Sequence, residues 1–288
     1  MRFILFITIF FNILLFAQSG VDTSISYIEL PNKTYTLSEV VEKSDKGLFS
    51  PLHKDHSKFG FSDNILWLKV NTKNSASVEK TQILELNYPT LDYIDIYALE
   101  DQQLILKKEL GDQRVYDKST FMPNPNYEFR ILPGEEKTFF IKIVSSGSLN
   151  IGTSVQDVNA YNLYSSTQMK WLSFYFGAVF IMLMYNFIIY LIIKNKSFLY
   201  YVLFPVSYII FALGLSGVAF ELFWPETPEI NAYLLPIAMG LAGTFSVLFT
   251  IHFLEIKSVS NRLYKFLSAL AVLSSSVTLL PLINVSRV

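Results

Sequence analysis

Few residues in this chain are spaced for chemistry, and those few point to recognition rather than catalysis. His53, Asp55 and His56 bring two imidazoles and a carboxylate within four residues, ligand types that a divalent metal would accept. The spacing matches no established ligand pattern and no further strong ligand is identifiable, so the stretch reads as a solvated polar loop with no metal. Trp67, Tyr88, Tyr93, Tyr97, Tyr116, Phe121 and Tyr127 could stack on sugar rings, but strand aromatics also fill cores, and core is the expectation for Trp67. Tyr93 and Tyr97 share a strand face with Asp95, which makes that face either solvent-exposed or the floor of a binding groove. Asp112 and Arg114, in the turn Gly-Asp-Gln-Arg, could touch a ligand or simply form the turn. The candidate ligand residues are therefore Trp67, Tyr93, Asp95, Tyr97, Asp112 and Arg114. The chain carries no phosphate-binding glycine loop, G-x-S-x-G elbow or H-E-x-x-H motif. It also has no cysteine, which excludes thiolate catalysis and cysteine-ligated metals. No enzymatic activity and no cofactor are expected.

The elements that must position these residues are of two materials. The chain has 288 residues, 51% of them hydrophobic and only 16% charged, against about 25% in soluble domains. The deficit is local, because residues 1–165 hold 36 of the 47 charged side chains. A net charge of −1 without a basic stripe excludes a nucleic-acid partner. At the start, Arg2 precedes an apolar run, Phe3–Phe16, which ends in Ala17-Gln18-Ser19. A charged start, a short apolar core and small residues before a cut describe an export signal over 1–19.

Residues 20–157 read as strands. In Ile65–Val70, Leu66, Leu68 and Val70 fall on one face, with Ile65, Trp67 and Lys69 on the other. Leu84 and Leu86 share a face, and Ile94, Ile96 and Ala98 oppose Tyr93, Asp95 and Tyr97. Leu104–Leu110 and Thr138–Ser146 continue the pattern, and Leu37–Ser44 alone predicts a helical turn. Short strands between Gly, Pro, Asn and Asp clusters predict an antiparallel β-sandwich.

After a linker over 158–170, the chain predicts four membrane helices near 171–193, 198–220, 232–254 and 266–283. Lys194 and Lys196, then Lys257, Arg262 and Lys265, mark two cytoplasmic loops, whereas Leu222–Asn231 carries only acidic charge. The positive-inside rule then puts the sandwich outside, in agreement with the export signal. Asn186 inside the first helix predicts an interhelical hydrogen bond. Pro205 and Pro236 predict kinks, and the pairs Gly214/Gly217 and Gly240/Gly243 predict close helix approach. Ser274-Ser275-Ser276 would glue helices together or line a polar cavity, and His252 would sit at the cytoplasmic interface. Asn186, Pro205 and Gly217 are the candidate coupling residues, together with the connection Val155–Lys170. Four crossings return the chain to the outside, so further sequence with more helices and a cytoplasmic module is expected, or such a module supplied in trans.

Several stretches carry a resemblance. Phe59–Asn74 (FGFSDNILWLKVNTKN), Leu84–Leu99, Leu110–Asp112 and Leu132–Leu149 are similar to the second type of extracellular domain of the bacterial seven-transmembrane receptors with diverse intracellular signalling modules. Tyr175–Phe204, Leu215–Pro225 and Phe253–Glu255 resemble that family's helical region. Lys69 and Lys142 stand where the family's strands often carry arginine, and the two residues are not interchangeable in a bidentate contact. The resemblance implies a jelly-roll-like sandwich that binds carbohydrate or another small extracellular ligand, ahead of a helical transmembrane bundle in the inner membrane. Membrane lipid, that ligand, a cytoplasmic output module and a second copy of the chain are the implied partners. A transporter or channel accessory subunit, or a membrane-anchored display domain, stands as the alternative.

Overall fold

The computed structural model describes residues 20–32, 35–52, 58–117 and 124–279. The export-signal segment 1–19, the His53–His56 loop, Phe121 and the end of the predicted fourth helix lie outside these residues.

Eleven strands come first: β1 (Val21–Leu30), β2 (Ser50–Pro51), β3 (Lys58–Phe61), β4 (Ile65–Asn74), β5 (Lys80–Leu86), β6 (Tyr93–Glu100), β7 (Gln103–Leu110), β8 (Asn126–Ile131), β9 (Glu136–Val144), β10 (Ser148–Asn150) and β11 (Thr153–Asp157). A six-stranded sheet runs β2-β1-β4-β9-β6-β7, a three-stranded sheet runs β11-β5-β8, and β3 pairs with β10. All of these pairings are antiparallel.

The predicted alternation places the core. Leu66, Leu68 and Val70 of β4, Ile94 and Ile96 of β6, and Ile141 and Ile143 of β9 meet Leu84, Leu86, Phe129 and Ile131 of the smaller sheet in one buried cluster. The two sheets thus cover each other's apolar faces. The reverse face of the large sheet is buried as well: Leu30, Ile65, Trp67 and Phe140 pack with Val40 of α1 (Leu37–Asp45). That helix starts on a capping box, with Thr36 Oγ1 accepting from Glu39 N and Glu39 Oε2 accepting from Thr36 N. Covering by α1 explains why both faces of β4 are apolar where a one-sided sheet would show polar alternation. Lys69 at the rim donates to Ser44 Oγ over 2.7 Å.

Six helices follow: α2 (Val158–Ile193), α3 (Lys196–Leu215), α4 (Val218–Phe223), α5 (Glu229–Phe253), α6 (Ile256–Val259) and α7 (Asn261–Val277). Three of them, α2, α3 and α5, are long and apolar enough to cross a membrane. The predicted fourth span begins earlier, in α7, whose described part has 17 residues. Two further expectations change. Residues 158–170 are not a separate linker but the opening turns of α2, with the Asp157 carboxylate accepting from Asn159 N as the N-cap. At 1.5 Å per residue, the 36 residues of α2 exceed the ~30 Å of hydrocarbon, so its first turns stand clear of the bilayer and abut the smaller sheet. The predicted second span instead breaks at Ser216-Gly217, with Gly217 left-handed at φ 75°. Gly217 therefore makes a turn between α3 and α4 rather than a helix contact. Close approach is found at Gly214, against Leu234 and Leu235 of α5, and at Gly240 and Gly243, against Ser274 and Thr278 at the end of the chain's last described helix.

Candidate functional site

Three groups of polar residues converge where the sheets meet the helices. The first lies on the outer face of β6. Arg114 Nη2 contacts Asp95 Oδ1 at 2.7 Å, and Nη1 donates to the carbonyls of Ile94 (2.9 Å) and Leu110 (3.1 Å). The guanidinium lies over the Tyr93 ring, 5.4 Å from its centre, with Glu109 at 3.4 Å. Tyr97 Oη lies 3.5 Å from Asp95 Oδ2, and its ring is 5.9 Å from that of Trp67. Lys142 approaches Asp95 at 4.0 Å. Five of the six predicted ligand residues thus form one chain of contacts: Trp67, Tyr97, Asp95, Arg114 and Tyr93. Trp67 is buried in the core beneath α1, and Arg114 spends its fork on main-chain carbonyls and Asp95. The group acts as a brace that holds the turn after β7 against β6. The Tyr97 hydroxyl is pushed up to about 12, chiefly by burial and then by the Asp95 charge.

The sixth residue, Asp112, points elsewhere and belongs to the second group. Gly111 has φ 130°, and a Cβ there would overlap the Asp92 carbonyl, so this tight turn requires glycine. Asp112 N donates to Leu91 O and Gln113 N to Asp92 O. Asp92 itself accepts from Ser145 Oγ, Ser146 N and Ser146 Oγ. Burial first, and the Asp92 charge second, raise the Asp112 carboxyl to about 7. This braced turn docks on the segment between α3 and α5. Asn231 Nδ2 donates to Asp112 O over 2.7 Å, and Tyr116 N donates to Pro225 O over 2.8 Å. Trp224 Nε1 donates to Asn231 Oδ1 over 2.8 Å, and the Tyr116 ring meets Phe220 edge to face. The loop predicted to be outside by its lack of basic residues is thus the one that touches the exported domain.

The third group went unmarked in the sequence. On the outer face of the smaller sheet, Glu85 is only 3% exposed and sits opposite Ser154 and Asn126 in the ladder. Asn124 Nδ2 donates to Glu85 Oε1 (2.8 Å) and to Asn87 Oδ1 (3.1 Å). Asn126 Nδ2 donates to Asn124 O (2.9 Å) and reaches Tyr161 Oη at 3.5 Å. Burial raises the Glu85 carboxyl, against the hydrogen bonds from Asn124 and Ser154. Beside this cluster opens a cavity of about 460 Å³. Its lining includes the polar residues Glu85, Asn87, Asn124, Ser165 and Gln168 and the apolar or aromatic residues Met169, Trp171, Leu172, Tyr175 and Leu215. Two signals could have located it. Glu85 and Ile83 occupy the face of β5 opposite Leu84 and Leu86, so the pattern marks a second covered face. Tyr161, Ser165, Gln168, Leu172 and Tyr175 recur at steps of four and three, one helical face running through the supposed linker.

The coupling candidates inside the helices are placed as follows. Asn186 Nδ2 bonds back to Met182 O of its own helix over 2.8 Å, so the expected interhelical bond is replaced by an i−4 bond that satisfies the amide locally. Pro205 is buried within an unbroken α3. Ser275 and Ser276 bond back to Val272 O and Leu273 O. His252 Nδ1 lies 2.9 Å from Leu248 O, and its ring is 4.9 Å from that of Tyr200. No metal-binding group occurs among the described residues.

No curated protein matches the chain. Solved structures align at low scores: an α-xylosidase from Xanthomonas citri at 12% identity and TM-score 0.24, covering 46% of this chain and 13% of that one; a β-glucosidase from Kluyveromyces marxianus in complex with glucose at 8% and 0.25, covering 48% and 16%; and an epithelial adhesin A domain from Candida glabrata in complex with Galb1-4GlcNAc at 5% and 0.22, covering 48% and 82%. The chain thus spans a small part of either enzyme. Two family profiles account for nearly all of the chain: 7TMR-DISM extracellular 2 over residues 22–157 and 7TM diverse intracellular signalling over residues 168–287. An exported antiparallel β domain docked on apolar helices, with both profiles in register, places the chain in the family of seven-transmembrane receptors with diverse intracellular signalling modules.

Proposed function

We propose that this chain is the sensing and membrane-entry portion of an inner-membrane signalling receptor, in which a jelly-roll-like exported domain binds a small extracellular molecule and passes the event to the helix bundle. The observation that carries this reading is the unbroken helix α2, which leaves the edge strand β11 through the Asp157 cap and continues into the membrane-spanning stretch. A rigid helix transmits a displacement of the smaller sheet to the bundle without a flexible joint. The Gly111–Tyr116 turn supplies a second, parallel contact through Asn231 and Pro225. A ligand acts on such a device only through a difference in affinity between two arrangements of these contacts. The ligand-facing chemistry is recognition: the Asp92 and Asp95 carboxylates are engaged in bonds that position elements.

The relay is testable without any ligand. In the full chain embedded in lipid nanodiscs, Asn231→Ala removes the donor to Asp112 O. Amide hydrogen exchange is expected to accelerate at residues 112–116, and also along the first turns of α2 near Tyr161–Gln168, some 60 residues from the substitution in sequence terms. Acceleration confined to the neighbourhood of residue 231 would refute the relay.

A further inference from the structure

The cavity between the smaller sheet and the first turns of α2 has a composition that restricts its occupant. Among the described residues its lining contains no lysine, arginine or histidine. Part of its amide donor capacity is committed: both hydrogens of the Asn124 amide go to Glu85 and Asn87, and Gln168 Nε2 gives one to Tyr164 Oη. The lining also offers acceptor capacity to a guest: the Glu85 carboxylate and the Asn124 and Gln168 side-chain oxygens. The same lining holds Trp171, Tyr175, Leu172, Met169 and Leu215. An anion would meet the Glu85 carboxylate with no basic side chain among the described lining residues beside it.

We infer that this junction cavity is a binding site for a small organic cation, an amine whose ammonium group donates to Glu85, Asn124 and Gln168 while its apolar body lies against Trp171, Tyr175 and Leu172. Cations also favour the faces of tryptophan and tyrosine rings, so the aromatic wall suits an amine over a neutral molecule of the same shape. The volume, about 460 Å³, lies in the range of small-molecule sites. The cavity is bounded by β5, the residues before β8, α2 and the end of α3, so occupancy bears on both the sheet and the helix that leaves it. The inference deepens the receptor reading by assigning its ligand site and ligand class. Its test uses no relay readout, so a failure here leaves the coupling of the two halves intact.

The full chain in lipid nanodiscs is titrated calorimetrically with 2-phenylethylamine, 2-phenylethanol and phenylacetate, with empty nanodiscs subtracted. The amine is expected to bind about tenfold or more tightly than the alcohol, and phenylacetate not at all. Glu85→Gln keeps the shape of the site and an acceptor oxygen for Asn124 and is expected to weaken the amine about tenfold, leaving the alcohol unchanged. Gln168→Glu, at the exposed rim where folding is not at stake, adds a second carboxylate and is expected to tighten the amine severalfold. Equal binding of amine and alcohol, indifference of amine binding to Gln168→Glu, or no amine binding up to about 10 mM, the weak limit of measurable small-ligand affinity, would each overturn the assignment.

Discussion

Arg114 is the pin that joins the sensing domain to its docking turn, and replacing it tests that role quantitatively. Its guanidinium serves two main-chain carbonyls at 2.9 and 3.1 Å and the Asp95 carboxylate at 2.7 Å. The side chains of Arg114 and Asp95 are 25% and 14% exposed. A fully exposed ion pair contributes about 0–1 kcal/mol, and breaking a buried one costs about 3–5 kcal/mol. This pair lies between, and the carbonyl bonds add to it, so Arg114→Ala is expected to destabilise the exported domain by about 2–3 kcal/mol. For a domain of this length that corresponds to a fall in Tm of roughly 6–10 °C, read by near-UV circular dichroism from the Trp67–Tyr97 pair. Arg114→Lys keeps the charge, yet a single ammonium cannot serve three divergent acceptors, so it is expected to recover about half of the loss or less. A cycle with Asp95→Asn should show coupling of about 1 kcal/mol or more. If Arg114→Ala costs under about 0.5 kcal/mol, the range of ordinary surface substitutions, or the cycle shows strict additivity, the brace is ornamental and the reasoning fails.

Asp112 makes the same turn sensitive to pH. Its folded carboxyl titrates at about 7, above the unfolded value near 4, so the folded chain holds a proton that the unfolded chain has released. That contribution to stability is complete below pH ~4 and is lost as the pH rises from there towards 7. Asp112→Asn is therefore expected to gain about 2 kcal/mol over the native protein at pH 8, discounted for residual solvent screening at a site that is only partly buried, and nothing at pH 4. Denaturant unfolding at the two pH values checks it, and a pH-independent difference would contradict it. Gly111→Ala forces a side chain into the Asp92 carbonyl at a positive φ, so it is expected to cost about 2 kcal/mol or more. It should also release the Asn231 contact, visible as faster amide exchange at residues 112–116.

Much of the architecture could be read from residue order alone, because it depends on local periodicity and on transfer to lipid. The period-2 faces of β4, β5, β6 and β9, the helical turn at Leu37–Ser44 and three apolar spans each express a property of a short segment. So does the sidedness of the basic loops, and the contact between the Gly111–Tyr116 turn and the acidic 222–231 loop is consistent with it. Reading failed where a property belongs to two segments at once. Residues 158–170 look polar and linker-like by themselves, and only docking against the smaller sheet shows their helical face. Gly217 and Asn186 could be recognised as special but not assigned, since a positive φ and an i−4 bond are conformational facts. Alternation alone puts Tyr93, Asp95 and Tyr97 on one face, yet their use depends on Arg114 arriving from the next turn to occupy that face. Glu85 was invisible as a site residue because a carboxylate in an alternating strand ordinarily faces water. Only the packing of α2 over it removes that water, and desolvation, which no linear pattern encodes, turns an ordinary strand position into the centre of a binding cavity.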